Sequence, residues 1–358
     1  MNAQFTQHNL IFKQASGTSR GVLTTKETYL LEISKNGQKG IGECAIFRGL
    51  SYDDVPDYEE KLTWLCENIH SDFEVLKKEL LHYPSIIFGL EQALLNLEHG
   101  EDLYFPSDFT DGKDSIKING LIWMGNADFM QSQIEEKLAK GFDCIKLKIG
   151  VDWKSEKEII KKLREKFPKE QLELRVDANG AFSYEEARMV LQELADLGIH
   201  SIEQPIKKSE VRSPKSEENS EKKSTDCCIP WNKMARLCAE TPTPIALDEE
   251  LIGIIDFEEK KKLLETIKPQ YIILKPALVG GFSGSDEWIA IAESLGINWW
   301  ITSALESNIG LNAICQYTYT KKNPLPQGLG TGALFTNNFE THLQLEGDQM
   351  WHKKTPYY

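Results

Sequence analysis

The sequence predicts an α/β protein in which a (β/α) barrel follows a separate α+β domain. Three observations lead to this prediction. Short β-rich runs alternate with amphipathic helical segments from about residue 115 onward, and polar residues recur at nearly constant spacing at the ends of these runs. Residues 1–110 have a different pattern, in which strands come first and helices follow. Strands that alternate with helices form βαβ units and therefore a parallel sheet.

The N-terminal region predicts an α+β domain. Alternating strands with turn signals occupy residues 19–45, and helical patterns follow at 53–81 and 85–99. A domain of this kind placed before a barrel can cap its mouth. We therefore expect a capping domain over residues 1–112, completed by part of residues 335–358.

The barrel is expected over residues 113–334. An amphipathic helix inside it begins at the capping residue Ser183 and ends at Gly198. A repeat at this pace closes most economically into a barrel, whose active site lies at the C-terminal ends of the strands, and a doubly wound open sheet is the alternative. The predicted strands are "SIKING" (115–120), "DCIKLKI" (143–149), "LELRVDA" (172–178), "HSIEQP" (200–205), "PIALDEE" (244–250), "QYIILKP" (270–276) and "NWWITSA" (298–304).

The polar strand-end residues are spaced 26 to 29 residues apart, with one exception. Glu203 and Asp248 are 45 residues apart, and a segment rich in Lys, Glu and Ser at 207–226 fills most of the excess. Such a segment has too few apolar side chains to bury itself. We predict a mobile surface insertion with no chemistry of its own.

The charge of the chain excludes several kinds of partner. A net charge of −14 disfavours nucleic acid and anionic membranes, because both demand a basic surface. The N-terminus lacks the pattern of a secretion signal, and no apolar run approaches the roughly 18 residues needed to span a bilayer. We expect a cytoplasmic protein with a small-molecule substrate and with no nucleic-acid, membrane or protein partner.

Two lysines occupy the strand in "FDCIKLKIG" (142–150). Lys146 and Lys148 point the same way because successive side chains of a strand alternate between its faces. A solvated outer face would explain them on a half-exposed antiparallel strand. Barrel strands are covered by helices on the outside, so the two lysines are predicted to face the mouth.

Three carboxylates are predicted at the same mouth, namely those of Asp177, Glu203 and Asp248. One strand-end acid alone is more commonly a helix cap or a salt-bridge partner. Three on neighbouring strands would repel one another unless a cation neutralised them, and an all-oxygen shell suits Mg²⁺, with Mn²⁺ as an alternative ion. Lys148 and Lys275 would flank a ligand above the ion, which favours removal of a proton next to a carboxylate.

Five motifs together resemble the muconate-lactonizing branch of the enolase superfamily. The resemblance implies a (β/α)₇β TIM-like barrel with an N-terminal capping domain. It implies Lys148 as the base, Lys275 opposite it as a charge that stabilises the enediolate, Lys146 as a residue that tunes Lys148 or touches substrate, and Mg²⁺ held by the three acids. Asn179 and Glu249 would support the metal ligands. The motifs are "KLK" (146–148), "DAN" (177–179), "IEQP" (202–205), "LDEE" (247–250) and "LKP" (274–276).

Two further segments, "ITSALESNIGL" (301–311) and "GLGTGALF" (328–335), resemble the o-succinylbenzoate synthase family of menaquinone biosynthesis. This resemblance implies a lyase that dehydrates 2-succinyl-6-hydroxy-2,4-cyclohexadiene-1-carboxylate through a metal-stabilised enediolate. A dipeptide epimerase or N-acylamino-acid racemase is the alternative, and "GLGTG" lacks the acidic pair that such epimerases carry there. A non-catalytic binding scaffold and an aldolase that forms a Schiff base on Lys275 are more distant alternatives.

Three residues are candidate substrate contacts. Ser303 and Ser307 follow the last predicted strand and could contact substrate or cap the next helix. Arg20, in the loop "SGTSRG", is a candidate lid residue, with an ordinary surface position as the alternative.

Overall fold

The computed structural model describes residues 1–18, 21–123, 125, 127–208 and 231–357 of the 358-residue chain. Its N-terminal part is an antiparallel sheet covered by helices. Alternate residues of the central strand, including Tyr29, Leu31 and Ile33, are buried under them, as the period of a strand requires. The elements are β1 (Asn2–Thr18), β2 (Gly21–Lys35), β3 (Gln38–Cys44), α1 (Tyr58–Asn68), α2 (Phe73–Glu79) and α3 (Pro84–His99), and the strand order is β1-β2-β3.

Glycines let α3 lie directly against β3. A Cβ atom on Gly42 would lie 2.0 Å from the carbonyl oxygen of Gly89, and a Cβ on Gly89 would lie 2.3 Å from Sγ of Cys44. Neither distance is compatible with van der Waals contact. The close approach fixes the helix on the sheet and places the loop after β3 next to the second half of the molecule.

The rest of the chain forms a parallel sheet whose strands alternate with helices. Seven strands lie in the order of the sequence, each parallel to its neighbour. After the short strand β4 (Ser115–Lys117) they are β5 (Gly120–Ile122), β6 (Cys144–Lys148), β7 (Glu173–Asp177), β8 (Ser201–Glu203), β9 (Ile245–Leu247), β10 (Tyr271–Leu274) and β11 (Asn298–Ile301). The helices are α4 (Ala127–Ala139), α5 (Trp153–Lys166), α6 (Tyr184–Asp196), α7 (Asn232–Glu240), α8 (Phe257–Ile267), α9 (Pro276–Val279), α10 (Gly281–Ser294) and α11 (Asn308–Thr320).

A two-residue segment closes the sheet into a barrel. The amide of Gln327 donates to the carbonyl oxygen of Lys117 (2.9 Å), and that of Asn119 donates to Gln327 O (2.9 Å). On the other side, the amide of Gly328 donates to Ile301 O (2.8 Å). Residues 327–328 therefore lie between β11 and the start of β5, where they take the place of the eighth strand of the barrel. The predicted (β/α)₇β barrel with an N-terminal capping domain is confirmed.

The predicted helix after Ser183 is present as α6. The Ser183 hydroxyl accepts a hydrogen bond from the amide of Glu186, and the Glu186 carboxylate accepts one from the amide of Ser183. This reciprocal pair is a capping box. Among the described residues, none of the helices combines the length and the apolarity needed to cross a membrane.

The predicted first barrel strand, 115–120, is split in the structure. Its first half is β4, which pairs with a C-terminal hairpin made of β12 (Thr341–Glu346) and β13 (Gln349–Tyr357). Its second half leads into β5, which pairs with β6. A strand has two edges, and the apolar pattern of one run does not say which partner each edge takes.

The predicted domain division at residues 112 and 334 remains a prediction. Residues after 334 contact both parts of the molecule, because the amide of Thr336 donates to Ile11 O (2.8 Å) in β1 while β13 pairs with β4. The predicted insertion at 207–226 lies outside the described residues from position 209 onward.

Candidate active site

The C-terminal ends of neighbouring strands bring the predicted polar residues together. Lys148 pairs in register with Asp177, and Asp177 pairs with Glu203, so these three residues lie at one level of the sheet. Asp248 and Lys275 follow directly after β9 and β10. All five side chains therefore stand at the mouth end of the barrel.

Each of the three carboxylates has a lysine as its neighbour. Nζ of Lys146 lies 2.6 Å from Oε2 of Glu203, and Nζ of Lys148 lies 3.0 Å from Oδ2 of Asp177. Lys275 is hydrogen-bonded to the third carboxylate, that of Asp248. The side chains of the three acids are only 2–3% exposed. The site is therefore a buried array of alternating charges.

Burial and charge shift the pKa values of these groups in opposite directions. Burial raises the pKa of Glu203 to about 7, with repulsion from Asp177 adding to the rise and attraction to Lys146 opposing it. Burial lowers the pKa of Lys275, but attraction to Asp248 and Glu203 outweighs it, so the pKa lies above its ordinary value. Burial also lowers the pKa of Lys146, but attraction to Glu203 and Asp177 outweighs it, so this pKa is raised as well. The carboxylates thus hold Lys146 and Lys275 in their charged form. A neighbouring metal ion would act in the other direction, because its positive charge lowers the pKa of a lysine.

The three acids fit a hard divalent cation. Oε1 of Glu203 is buried, accepts no hydrogen bond from the residues the structure describes, and has the Lys275 ammonium as a counter-charge only at 3.8 Å. A buried carboxylate oxygen that accepts no hydrogen bond is costly, and a cation would satisfy it. Since all three side chains offer only oxygen atoms, the donor set matches Mg²⁺.

Asn179 connects one of the lysines to an acid on another loop. Its Oδ1 accepts a hydrogen bond from Nζ of Lys148 (2.5 Å), and its Nδ2 donates to Oε1 of Glu249 (3.1 Å). Its φ of +43° lies in the left-handed region, which asparagine tolerates better than most residues. The structure therefore brings both predicted supporting residues, Asn179 and Glu249, to the site.

Gln204 is a positioning residue that the sequence analysis missed. Its Oε1 accepts hydrogen bonds from the amides of Asp248 (3.3 Å) and Glu250 (3.2 Å), and its Nε2 donates to Oε2 of Glu250 (3.1 Å). The fully buried side chain thereby ties the loop after β9 to the end of β8. The sequence signal that could have identified Gln204 is its place in "IEQP", directly after Glu203 at the end of the strand.

A cavity of about 820 Å³, counting its open mouth, lies above these groups. Lys146, Lys148 and Lys275 contribute to its polar side. Phe47 and Leu50, from the loop after β3, line it as well, so the N-terminal domain does contribute to the mouth. A concave site with apolar walls and a few convergent polar groups suits a small-molecule ligand. Sequence analysis missed both apolar residues because nothing local indicates which loop of one domain covers another.

The three candidate substrate contacts have different outcomes. Ser303 lines the cavity, where its hydroxyl is 2.7 Å from the hydroxyl of Thr331. Ser307 is instead the fully buried cap of α11, and its Oγ donates to Oε2 of Glu43 (2.6 Å). It is therefore the helix cap that was the alternative, and no substrate contact is proposed for it. Arg20 lies outside the described residues.

A (β/α)₇β barrel with lysines beside three carboxylates at its mouth is typical of an enzyme whose lysines move protons and whose carboxylates can hold a metal ion. Comparison with known families agrees. Residues 130–216 and 226–351 match the family described as enolase C-terminal domain-like, and residues 3–97 match the MenC N-terminal domain. The chain belongs to the enolase superfamily and, within it, to the o-succinylbenzoate synthase family.

Individual relatives support this assignment. The o-succinylbenzoate synthase of Desulfotalea psychrophila is 41% identical, covering 97% of this chain and 98% of that protein. The crystal structure of MenC from the same organism superposes with a TM-score of 0.83 at 39% identity, covering 98% and 99% of the two chains. An N-succinylamino acid racemase of Thermus thermophilus is 33% identical, covering 82% and 75%. The predicted family resemblance is confirmed.

One neighbour shares the fold at lower identity. A dipeptide epimerase from Enterococcus faecalis, in a complex with Mg and a dipeptide, has a TM-score of 0.79 at 19% identity, covering 98% of this chain and 96% of that one. This likeness establishes the barrel and its capping domain, and the substrate must be argued from the site.

Proposed function

We propose that the chain catalyses the syn dehydration of 2-succinyl-6-hydroxy-2,4-cyclohexadiene-1-carboxylate to o-succinylbenzoate, a lyase reaction of menaquinone biosynthesis. The observation that carries the proposal is the placement of two lysines. Lys148 ends β6 and Lys275 follows β10, four strands further along an eight-membered barrel. They therefore approach a ligand in the cavity from opposite sides.

Asp177, Glu203 and Asp248 would hold Mg²⁺. When bound, the ion would supply positive charge that offsets the charge developing on the substrate carboxylate as the proton leaves. The proposal for these ligands rests on the buried oxygen of Glu203 and on the all-oxygen character of the set.

Lys148 is the proposed base. Its amine takes the proton alpha to the ring carboxylate, and the resulting ammonium gives a proton to the hydroxyl that leaves from the same face as water. The amine is thereby regenerated, and removal of both groups from one face accounts for the syn course. Asn179 holds Nζ of Lys148 through its Oδ1, which orients the base.

Lys275 acts from the other side of the cavity. Its charged form, favoured by Asp248, offsets the negative charge of the enediolate and can lie over the ring face as a cation–π partner. Lys146 holds Glu203 through the 2.6 Å contact and keeps that carboxylate in place. Phe47 and Leu50 exclude water from the mouth.

A second activity at the same site is N-succinylamino acid racemisation. The 33% identity to a protein of that name favours it, as does the opposed pair of lysines, because racemisation needs one base on each face of the α-carbon. The segment "GLGTG" places Gly328, Gly330 and Thr331 against the cavity, with no acid to hold the free amine of a dipeptide. That composition disfavours the dipeptide epimerase.

The test is a continuous ultraviolet assay of the purified protein with the cyclohexadiene substrate, first with Mg²⁺ and then with a chelator. Rapid aromatisation that stops on chelation supports the synthase. Deuterium exchange at the α-carbon of N-succinylamino acids in heavy water reports the second activity. Folded, Mg²⁺-loaded protein that shows exchange but no aromatisation would replace the first function by the second.

A further inference from the structure

Two histidines and one carboxylate meet away from the active site, where the loop after α3 contacts the C-terminal hairpin. Asp102 belongs to the loop, His342 to β12 and His352 to β13. One potential ligand atom from each residue lies within 4.8 Å of the other two. The two imidazole rings are 5.2 Å apart, centroid to centroid. None of these residues has a part in the proposed dehydration.

The hydrogen bond of His352 fixes which of its nitrogens carries the proton. Nδ1 lies 3.2 Å from the carbonyl oxygen of Thr110, which can only accept, so Nδ1 is the donor. In the neutral ring, Nε2 then carries a lone pair and can only accept. Nε2 is buried, has no hydrogen-bond partner among the described residues, and lies 3.8 Å from Oδ2 of Asp102. Two acceptors face each other, an arrangement that a cation between them would relieve.

The spacing suits a metal ion. Two ligand atoms that each lie about 2.1 Å from a tetrahedral ion are separated by about 3.4 Å, close to the 3.8 Å between His352 Nε2 and Asp102 Oδ2. His342 Nδ1 now hydrogen-bonds the same carboxylate oxygen at 2.5 Å. The His342 side chain is partly exposed, so a shift of about 1 Å would open the third position.

The surroundings hold the other two ligands in place. Thr110 orients the His352 ring by accepting its second N–H, which is the usual support for a metal-binding histidine. The backbone oxygen of Asp102 accepts hydrogen bonds from Asn312 (2.9 Å) and Gln316 (2.8 Å), both on α11. The ligands are therefore preorganised by a rigid element, as a binding site requires.

We propose that Asp102, His342 and His352 form a Zn²⁺ site that joins the loop after α3 to the C-terminal hairpin. Two imidazoles and one carboxylate match zinc and differ from the all-oxygen shell suited to Mg²⁺. Three protein ligands leave the fourth position to water. Because the ion would bind elements far apart in the chain, its effect is on stability and not on the chemistry at the barrel mouth.

The experiment uses the full chain, stripped with a chelator and then kept in excess Mg²⁺. Zn²⁺ is titrated by calorimetry, and Co²⁺ is titrated by absorption, which reports nitrogen coordination. We expect one Zn²⁺ per chain in this background and a higher melting temperature with zinc than without it. His342→Gln and Asp102→Asn should each weaken zinc binding at least about tenfold and abolish the thermal shift.

His70→Gln is the matched control, because His70 is exposed and distant from the cluster in sequence. It should bind zinc as the unaltered chain does, and His342→Gln should keep its Mg²⁺-dependent turnover. Folded protein that binds no Zn²⁺ in this background would overturn the proposal. Undiminished zinc binding by both His342→Gln and Asp102→Asn would overturn it as well, because the ion would then lie elsewhere.

Discussion

Glu43, in the N-terminal sheet, binds Ser307, the residue that caps the start of barrel helix α11. The amide of Ser307 donates to Oε1 of Glu43 (3.0 Å), its hydroxyl donates to Oε2 (2.6 Å), and the amide of Gly310 also donates to Oε2 (2.9 Å). A helix leaves its first amides without partners and carries partial positive charge there. One carboxylate of the capping domain thus satisfies the start of a barrel helix.

Glu43→Gln should destabilise the protein while leaving its shape nearly unchanged. The amide keeps the volume of the carboxylate but loses the charge and one acceptor, so buried donors at the helix start are left without a partner. We expect the free energy of unfolding to fall by about 2 kcal/mol, as measured by urea denaturation.

Glu74→Gln is the control for this variant, because Glu74 is an exposed residue of the same domain. Its effect should stay within about 0.5 kcal/mol. A double-mutant cycle with Ser307→Ala would isolate the contact, since residues in one hydrogen-bond network show non-additive effects. Additive effects of Glu43→Gln and Ser307→Ala would contradict the assigned role of the pair.

A second acid of the capping domain caps another barrel helix. Glu91, on α3, accepts hydrogen bonds from the amides of Phe282 (2.5 Å) and Ser283 (3.1 Å) at the start of α10. Gly281 makes room for it, because a Cβ there would lie 2.2 Å from Oε2 of Glu91. Burial raises the pKa of Glu91 to about 7, although the hydrogen bonds from Ser283 and Phe282 oppose the rise.

This raised pKa predicts that Glu91 makes stability depend on pH. The ordinary pKa is 4.5, so between 4.5 and about 7 the folded protein holds a proton that the unfolded chain has released. Stability contributed by this proton is complete below the unfolded value and is lost as the pH rises through the folded one. Relative to Glu91→Gln, the unfolding free energy of the unaltered chain should fall by up to about 3 kcal/mol between about pH 5 and about pH 8.

Urea denaturation of both proteins at several pH values checks this prediction. Glu98→Gln serves as the control, because Glu98 is an exposed residue on the same helix. Its stability should follow that of the unaltered chain at each pH. A constant difference between Glu91→Gln and the unaltered chain across the range would show that Glu91 titrates normally in the folded protein.

The barrel mouth could be predicted from the sequence because parallel strands fix the direction of their ends. Asp177 and Glu203 stand at the last positions of β7 and β8, and Asp248 and Lys275 come directly after β9 and β10. Because these residues end neighbouring parallel strands, their regular spacing along the chain predicts that they lie close together. Lys146 and Lys148 followed from strand alternation together with the helices that cover the outside of a barrel.

The contacts between the two domains could not be predicted in this way. Glu43 and Ser307 are 264 positions apart, and a glutamate near the end of an antiparallel strand ordinarily lies in solvent. The sequence therefore leaves Ser307 open between a substrate contact and a helix cap. The split of residues 115–120 between two sheets has a similar origin, because the choice of partner for each strand edge is made by tertiary packing.

Lys148→Ala and Lys275→Ala should each abolish turnover without unfolding the protein. Loss of a general base costs up to about 10⁴-fold in rate, and loss of one group that stabilises developing charge costs about 10²- to 10³-fold. We therefore expect kcat to fall at least about 10³-fold in Lys148→Ala and at least about 10²-fold in Lys275→Ala. The ultraviolet assay measures the rate, and circular dichroism checks the fold. Lys154→Ala is the control, since Lys154 is exposed on α5. An active Lys148→Ala enzyme would exclude this lysine as the base.

Removal of divalent metal should stop turnover and leave the barrel folded. Asp177, Glu203 and Asp248 would lose the proposed ion, but each keeps a lysine ammonium as its neighbour, so their charges stay offset after chelation. We therefore expect a chelated protein with unchanged far-ultraviolet circular dichroism at 25 °C and no aromatisation. Mg²⁺ alone should restore the rate. Loss of the fold on chelation would mean that the lysines do not suffice as counter-charges, and turnover that survives chelation would remove the metal from the proposed mechanism.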